Sequence, residues 1–231
     1  MTGDNGYLAE NRVNDKKQED NMAKTVGFIG SGNMGRAIMG GMIAAGLYTP
    51  SQILASARTK ETVEKIEKEL GVVATTDNAT VAKKADILFL AVKPGVFATV
   101  IPEIRDCCKE GQIVVSIAAG QTLTSITEMF GHEIKLVRAM PNTPALVGEA
   151  MSAVTPNNHV DEEEIQEVMA IFESFGKAEI VPETMMDAVI GVSGSSPAYV
   201  YMFIEAMADA AVADGMPRKQ AYKFAAQSVL G

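Results

Sequence analysis

The stretch Thr25-Val26-Gly27-Phe28-Ile29-Gly30-Ser31-Gly32-Asn33-Met34-Gly35 decides the fold. Its first five residues make a short apolar run of the kind buried on both faces of a parallel sheet. The next six fit G-x-G-x-x-G, and a helical pattern takes over from Asn33 to Ala45. Such a glycine pattern is weak when it stands alone. Directly after a strand and at the opening of a helix, it reads as a dinucleotide-binding turn. Gly30 permits the tight turn, Gly32 admits a pyrophosphate to the backbone, and Gly35 lets helix and strand pack closely. Backbone N–H groups at the start of the helix then meet the phosphate charge.

Working outward, apolar strands alternate with helical stretches. Strands are expected at Gln52–Ala57, Val72–Ala74, Ile87–Val92, Ile113–Ile117 and Lys135–Arg138, with a charged helix from Thr59 to Leu70. Continuous apolar strands joined by helical crossovers predict a parallel sheet covered on both faces, an α/β doubly wound Rossmann-type architecture. A strand at Met151–Thr155 precedes Asp161, which caps a helix running to Phe175, and the acidic residues Asp161 to Glu164 suit that helix's positive end. After Ile180 the pattern is all helix: Glu183–Gly191, Ser196–Asp214, and Pro217 to the end. The expected organisation is a dinucleotide-binding domain over 22–180, followed at 181–231 by the start of an incomplete all-helical domain. Residues 1–21 are polar and charged with little apolar periodicity, which predicts a disordered tail. Met22 opens the folded part and offers a second translation start.

Composition excludes several classes. A net charge of −9 argues against a nucleic-acid partner, since neutralising phosphates takes clustered Lys and Arg. No apolar run approaches the ~18 residues of a membrane span. Two adjacent thiols, Cys107 and Cys108, give no disulfide framework, and His132 and His159 lack any paired metal-ligand spacing, so no metal is expected. With no signal-peptide pattern, the expected compartment is the cytoplasm.

A sheet of this kind binds NAD through an acid about 20 residues beyond the glycines. Here that position reads Ser56-Ala57-Arg58-Thr59-Lys60. An arginine with hydroxyl neighbours suits the 2′-phosphate of NADP, which a carboxylate would repel. NADP(H) is therefore favoured, with NAD(H) left open. Lys93, at the end of the Ile87–Val92 strand, is either a ligand contact or a solvated loop residue.

Four segments together carry a resemblance. GFIGSGNMG (Gly27–Gly35), AVKP (Ala91–Pro94), MPNTP (Met140–Pro144) and SGSSPAY (Ser193–Tyr199) resemble the pyrroline-5-carboxylate reductases in order and spacing. The resemblance runs from Ala23 to Gly231. It implies reduction of 1-pyrroline-5-carboxylate, a cyclic imino acid, to L-proline by hydride transfer from NAD(P)H, in a homo-oligomer. It also implies cofactor contacts from Ile29, Gly30, Ser31, Gly32, Asn33 and Met34, beside Gly35 of the glycine pattern. Ser56, Arg58, Asn78, Ala91, Val92, Lys93, Pro94, Ala118, Ala119 and Gly120 complete that set. Ser193, Gly194, Ser195 and Ser196 are placed on the substrate side, the backbone N–H groups around Ser195 and Ser196 meeting a carboxylate or, alternatively, those two serines only capping a helix. Members of the family continue through further helices and a second Ser-Pro-Gly-Gly-Thr-like loop, thought to hold the substrate and donate to the imine. That loop would fall beyond Gly231, so the chain reads as C-terminally truncated and its catalytic donor as unassigned.

Two other readings stand beside this one. β-Hydroxyacid dehydrogenases share the opening, but they place a lysine soon after a Gly-rich helix start, and here none follows Gly194 until Lys219. The other is a dinucleotide-binding fragment that performs no chemistry.

Overall fold

The computed structural model describes residues 24–231; the polar segment 1–21 and Met22 lie outside the described residues. The chain divides into two compact units, the first ending at Glu183 and the second spanning Thr184–Gly231.

The first unit is built on one sheet of eight strands: β1 (Val26–Ile29), β2 (Ile53–Ser56), β3 (Val73–Thr75), β4 (Ile87–Leu90), β5 (Ile113–Ser116), β6 (Lys135–Met140), β7 (Ala150–Pro156) and β8 (Gly176–Ile180). Their order is β3-β2-β1-β4-β5-β6-β7-β8. Strands β1 to β6 are mutually parallel, with Gly27 opposite both Leu54 and Leu88. The helices between them are α1 (Asn33–Ala44), α2 (Lys60–Leu70), α3 (Asn78–Lys84), α4 (Phe97–Ile104), α5 (Leu123–Phe130) and, after β7, α6 (Glu162–Glu173).

Alternation along the central strands sorts the core into two faces. Val26, Phe28, Ile87 and Phe89 point to one, where Ile38, Met39 and Met42 of α1 and Ile165, Val168 and Phe172 of α6 cover them. Ile29, Leu88 and Leu90 point to the other, against Val81 of α3, Phe97 and Ile101 of α4, and Ile126 and Phe130 of α5. Phe28 and Phe89 stack with ring centroids 4.7 Å apart, and Phe172 tilts onto Phe89 at 6.0 Å. The doubly wound reading is thereby realised in side chains. Asp161 caps α6 as expected, in a reciprocal pair with Glu164.

The fold departs from the sequence reading at three places. Strand β7 runs antiparallel to β6. Only residues 141–149 separate them, too few for the dozen or more that a parallel crossover needs. Strand β8 was not anticipated; its GKAEI sequence has no apolar run because it is an edge strand with exposed residues. The helix expected over Glu183–Gly191 is instead a 3₁₀ turn at Glu183–Met185, one helical turn α7 (Met186–Val189), and a π turn at Ile190–Gly194.

The second unit continues through α8 (Ser196–Ala213) and α9 (Arg218–Leu230), which pack through Ala208, Ala221 and Ala225. Tyr199, Tyr201, Met202, Phe203 and Phe224 are all exposed. No helix among the described residues is long and apolar enough to cross a membrane, and no group of His, Cys, Asp or Glu among them is placed to hold a metal. Burial and the neighbouring Cys107 push the Cys108 thiol up to about 11, so it stays protonated and unreactive.

At the N-terminal edge of the sheet, Asp86 joins the starts of β1 and β4. Its Oδ2 accepts from Thr25 N at 2.8 Å and Thr25 Oγ1 at 3.1 Å, and its Oδ1 accepts from Lys109 Nζ at 2.7 Å. Burial alone would raise this carboxyl's pKa, but the hydrogen bonds outweigh it and hold the pKa below the usual carboxylate value. A depressed folded pKa gives stability that is complete above the unfolded value and is lost as pH falls through the folded one. Asp86→Asn should therefore destabilise by about 1 kcal/mol or less near neutrality, because both partners are more than a third exposed. Thermal melts of the two proteins should converge as the pH falls below the depressed pKa of the folded carboxyl. A gap that persisted in acid would place the effect in packing rather than charge.

Candidate functional site

In an open parallel sheet, ligands bind outside the carboxyl ends of the strands where the order reverses. Here that point lies between β1 and β4, neighbours in the sheet whose chain connections run in opposite directions. The candidate residues converge on that edge from five strands. Gly30–Gly35 follow β1, Ser56 and Arg58 end β2, Asn78 follows β3, Ala91–Pro94 follow β4, and Ala118–Gly120 follow β5.

The three glycines separate cleanly by what a side chain would meet. Gly30 has φ +95°, and a Cβ there would stand 2.6 Å from Val92 and 2.9 Å from the Ala91 carbonyl oxygen. Gly35 would meet the Gly30 carbonyl at 3.1 Å, so its lack of a side chain seats α1 against the turn. Gly32 is different. A Cβ there meets no heavy atom within 4 Å, and its backbone is ordinary extended chain with φ −71° and ψ −171°. Nothing in the protein requires glycine at 32, and the space in front of it is open.

A chain of hydrogen bonds braces the turn. Ser31 Oγ donates to Ser56 O at 2.6 Å, and Gly30 N donates to Ser56 Oγ at 3.3 Å. Ser56 Oγ donates to Asn78 Oδ1 at 2.7 Å, and Asn78 Nδ2 donates to Glu103 Oε2 at 2.7 Å. Ser56 is 1% exposed, so its side chain acts through Gly30 and Asn78 rather than facing solvent. Arg58 and Lys93 are exposed and form no ion pair among the described residues, which leaves two free cations at this edge. Thr59 is committed as the cap of α2, accepting from Thr62 N.

Beyond β5 and the turn Ala118–Gly120, the start of α5 is held by a contact the sequence did not suggest. Glu183 Oε1 accepts from Leu123 N, in the first turn of α5, at 2.8 Å and from Arg138 at 2.9 Å. Arg138 is 6% exposed, so this carboxylate neutralises a buried cation and satisfies an orphan N–H at a helix start together. Neither residue belongs to a motif, and 45 and 60 positions separate Glu183 from its two partners. Only pairing opposite charges across the fold could have suggested it. Within MPNTP, Asn142 is 8% exposed and accepts from Met151 N at 2.9 Å, tying the end of β6 to the start of β7.

In the second unit, Ser193 and Gly194 lie in the π turn and Ser195 and Ser196 at its junction with α8. Such turns are frequent at functional sites because they displace the helix from its regular ladder. Ser195 N–H donates to Ile190 O at 2.9 Å, so it is not a free donor at a helix start. Ser195 also makes no capping bond through its side chain, so the pure capping role fails. What remains available at this position is the hydroxyl.

Comparison with known proteins follows the same division. Residues 25–120 match a family model described as NADP oxidoreductase coenzyme F420-dependent, and residues 183–231 match pyrroline-5-carboxylate reductase dimerisation. A pyrroline-5-carboxylate reductase of Escherichia coli is 53% identical over 210 residues, covering 91% of this chain and 78% of that protein. The pyrroline-5-carboxylate reductase structure from Coxiella burnetii superposes with a TM-score of 0.83 at 34% identity, covering 90% of this chain and 77% of the other. That of Plasmodium falciparum, solved with NADP bound, gives 0.82 at 31% identity, with 91% and 77% covered.

Proposed function

Because the chain belongs to the pyrroline-5-carboxylate reductase family, we propose that it reduces 1-pyrroline-5-carboxylate to L-proline with a nicotinamide dinucleotide at the β1–β4 edge. The observation that carries the reading is Gly32, a position where the protein leaves room for a ligand and for nothing of its own. The β-hydroxyacid dehydrogenase alternative loses its ground with the family.

Gly30–Gly35 and the first N–H groups of α1 would hold the pyrophosphate, while Arg58 and Asn78, braced by the buried Ser56, would hold the adenosine ribose. Ala91–Pro94 and Ala118–Gly120 carry the nicotinamide half. When bound, the dinucleotide supplies the hydride that adds to the imine carbon, and one proton completes the amine at nitrogen. The task of the chain's own residues is to fix the ring and the substrate relative to each other, which can lower a barrier by about 7–11 kcal/mol. Ser193, Gly194, Ser195 and Ser196 are assigned to the substrate, with the Ser195 and Ser196 hydroxyls as donors, since the Ser193 hydroxyl donates to Val189 O. NADPH is preferred over NADH because Arg58 is free and no acid stands at the end of β2. The match of the second unit to a dimerisation model supports a homo-oligomer, and a cytoplasmic location suits a biosynthetic enzyme of this kind.

The test is an assay of the purified chain with NADPH and pyrroline-5-carboxylate, following loss of reduced nicotinamide and identifying L-proline in the product. Substrate-dependent oxidation that yields proline is the expected result. Tight NADPH binding with no proline formed would overturn the catalytic reading and leave a dinucleotide-binding module.

A further inference from the structure

Strand β2 ends without a carboxylate, and Asp77, after β3, is committed as the cap of α3, yet the fold brings a further acid beside Asn78 from α4. Glu103 Oε2 accepts from Asn78 Nδ2 at 2.7 Å, and the other end of that amide accepts from Ser56 Oγ at 2.7 Å. A single asparagine therefore separates Glu103 from the serine that braces the glycine turn. Glu103 is exposed and has no lysine, arginine or histidine within 4.0 Å among the described residues. Arg58, two residues beyond Ser56, is likewise exposed and without an acidic partner. Arg58 follows the end of β2 and Glu103 reaches Asn78, which is bonded to that strand's last residue, and neither charge is in an ion pair among the described residues.

Their effects on a ligand oppose each other. A guanidinium attracts a 2′-phosphate, whereas a carboxylate at the adenosine ribose repels it and tolerates the plain 2′-hydroxyl. We propose that Glu103 is a specificity-determining residue set against Arg58, its charge narrowing the preference for a dinucleotide that carries a 2′-phosphate. This rests on the reading of Arg58 and Asn78, braced by Ser56, as the ribose-holding group. Glu103 acts through the field it adds to that group. Its hydrogen bond to Asn78 is a separate contribution, and the two can be told apart. Glutamine at 103 keeps a carbonyl to accept from Asn78 Nδ2 and removes only the charge.

The experiment measures dissociation constants of NADPH and NADH by nicotinamide fluorescence, for the unaltered chain, Glu103→Gln and Gly32→Val, at low and high salt. Glu103→Gln should shift the ratio of the two constants toward NADPH by roughly three- to tenfold at low salt, as expected for a partly screened charge pair. The shift should shrink at high salt, where the Debye length falls to about 3 Å at 1 M. An unchanged ratio, a shift toward NADH, or a shift indifferent to salt overturns the proposal. In those cases binding by the unaltered chain and its loss in Gly32→Val would leave the site reading standing. If the unaltered chain binds neither dinucleotide, the site reading falls and the proposal falls with it.

Discussion

Gly32→Val should abolish the binding of both NADPH and NADH while leaving the first unit folded. The backbone at 32 is in the extended region that valine adopts freely, and its Cβ would enter space empty of protein atoms to 4 Å. Glycine at a helix N-cap is better than valine, so a stability cost of at most about 1 kcal/mol is expected. The ligand bears the rest. Two methyl groups would stand where the pyrophosphate approaches the backbone, and affinity should fall by roughly a hundredfold or more, as blocking the central glycine of this turn implies. Gly30→Val would be a poorer test, because the positive φ and the 2.6 Å approach to Val92 damage the turn itself. Nucleotide titrations beside thermal melts decide the matter. A folded Gly32→Val protein that still binds NADPH tightly would remove the glycine turn from the site.

The second large effect belongs to Arg58. Arg58→Ala should weaken NADPH by about 1–3 kcal/mol, the range for a charge-assisted hydrogen bond to phosphate. NADH, which offers only a hydroxyl at that position, should lose much less. The side chain is exposed and unpaired, so its removal breaks no interaction of the protein with itself and should not move the melting temperature. Equal losses for both nucleotides would take Arg58 off the 2′-phosphate. Together with Glu103→Gln, which should act with the opposite sign, the two variants bracket the charge balance at one ribose.

Much of this site was legible because its parts are local in the chain. The glycine turn, its strand and its helix occupy consecutive residues, so periodicity and glycine spacing suffice to place them. The crevice ends of β4 and β5 follow from apolar runs that end in Lys93-Pro94 and Ala119-Gly120. Edge and nonlocal features were not legible. Strand β8 has no apolar alternation to announce it, because an edge strand with solvent on its residues need not be apolar. The reversal of β7 depends on how few residues link it to β6, a matter of loop length rather than of strand composition. The π turn at Ile190–Gly194 looks like ordinary helix in sequence, since one extra residue per turn leaves no compositional trace. Glu103 and Glu183 are single acids in unremarkable surroundings, and only the fold shows that one reaches Asn78 and the other Arg138.

The Arg138–Glu183–Leu123 junction sets an order of completion. A ribosome delivers the N-terminus of α5 and the guanidinium of Arg138 well before residue 183 emerges. Until then, burying Arg138 leaves an uncompensated charge in the sheet, at a cost of several kcal/mol. The half of the sheet beyond β5 therefore gains its full stability only when the last residue of the unit arrives, and the start of α5 at Leu123 waits with it.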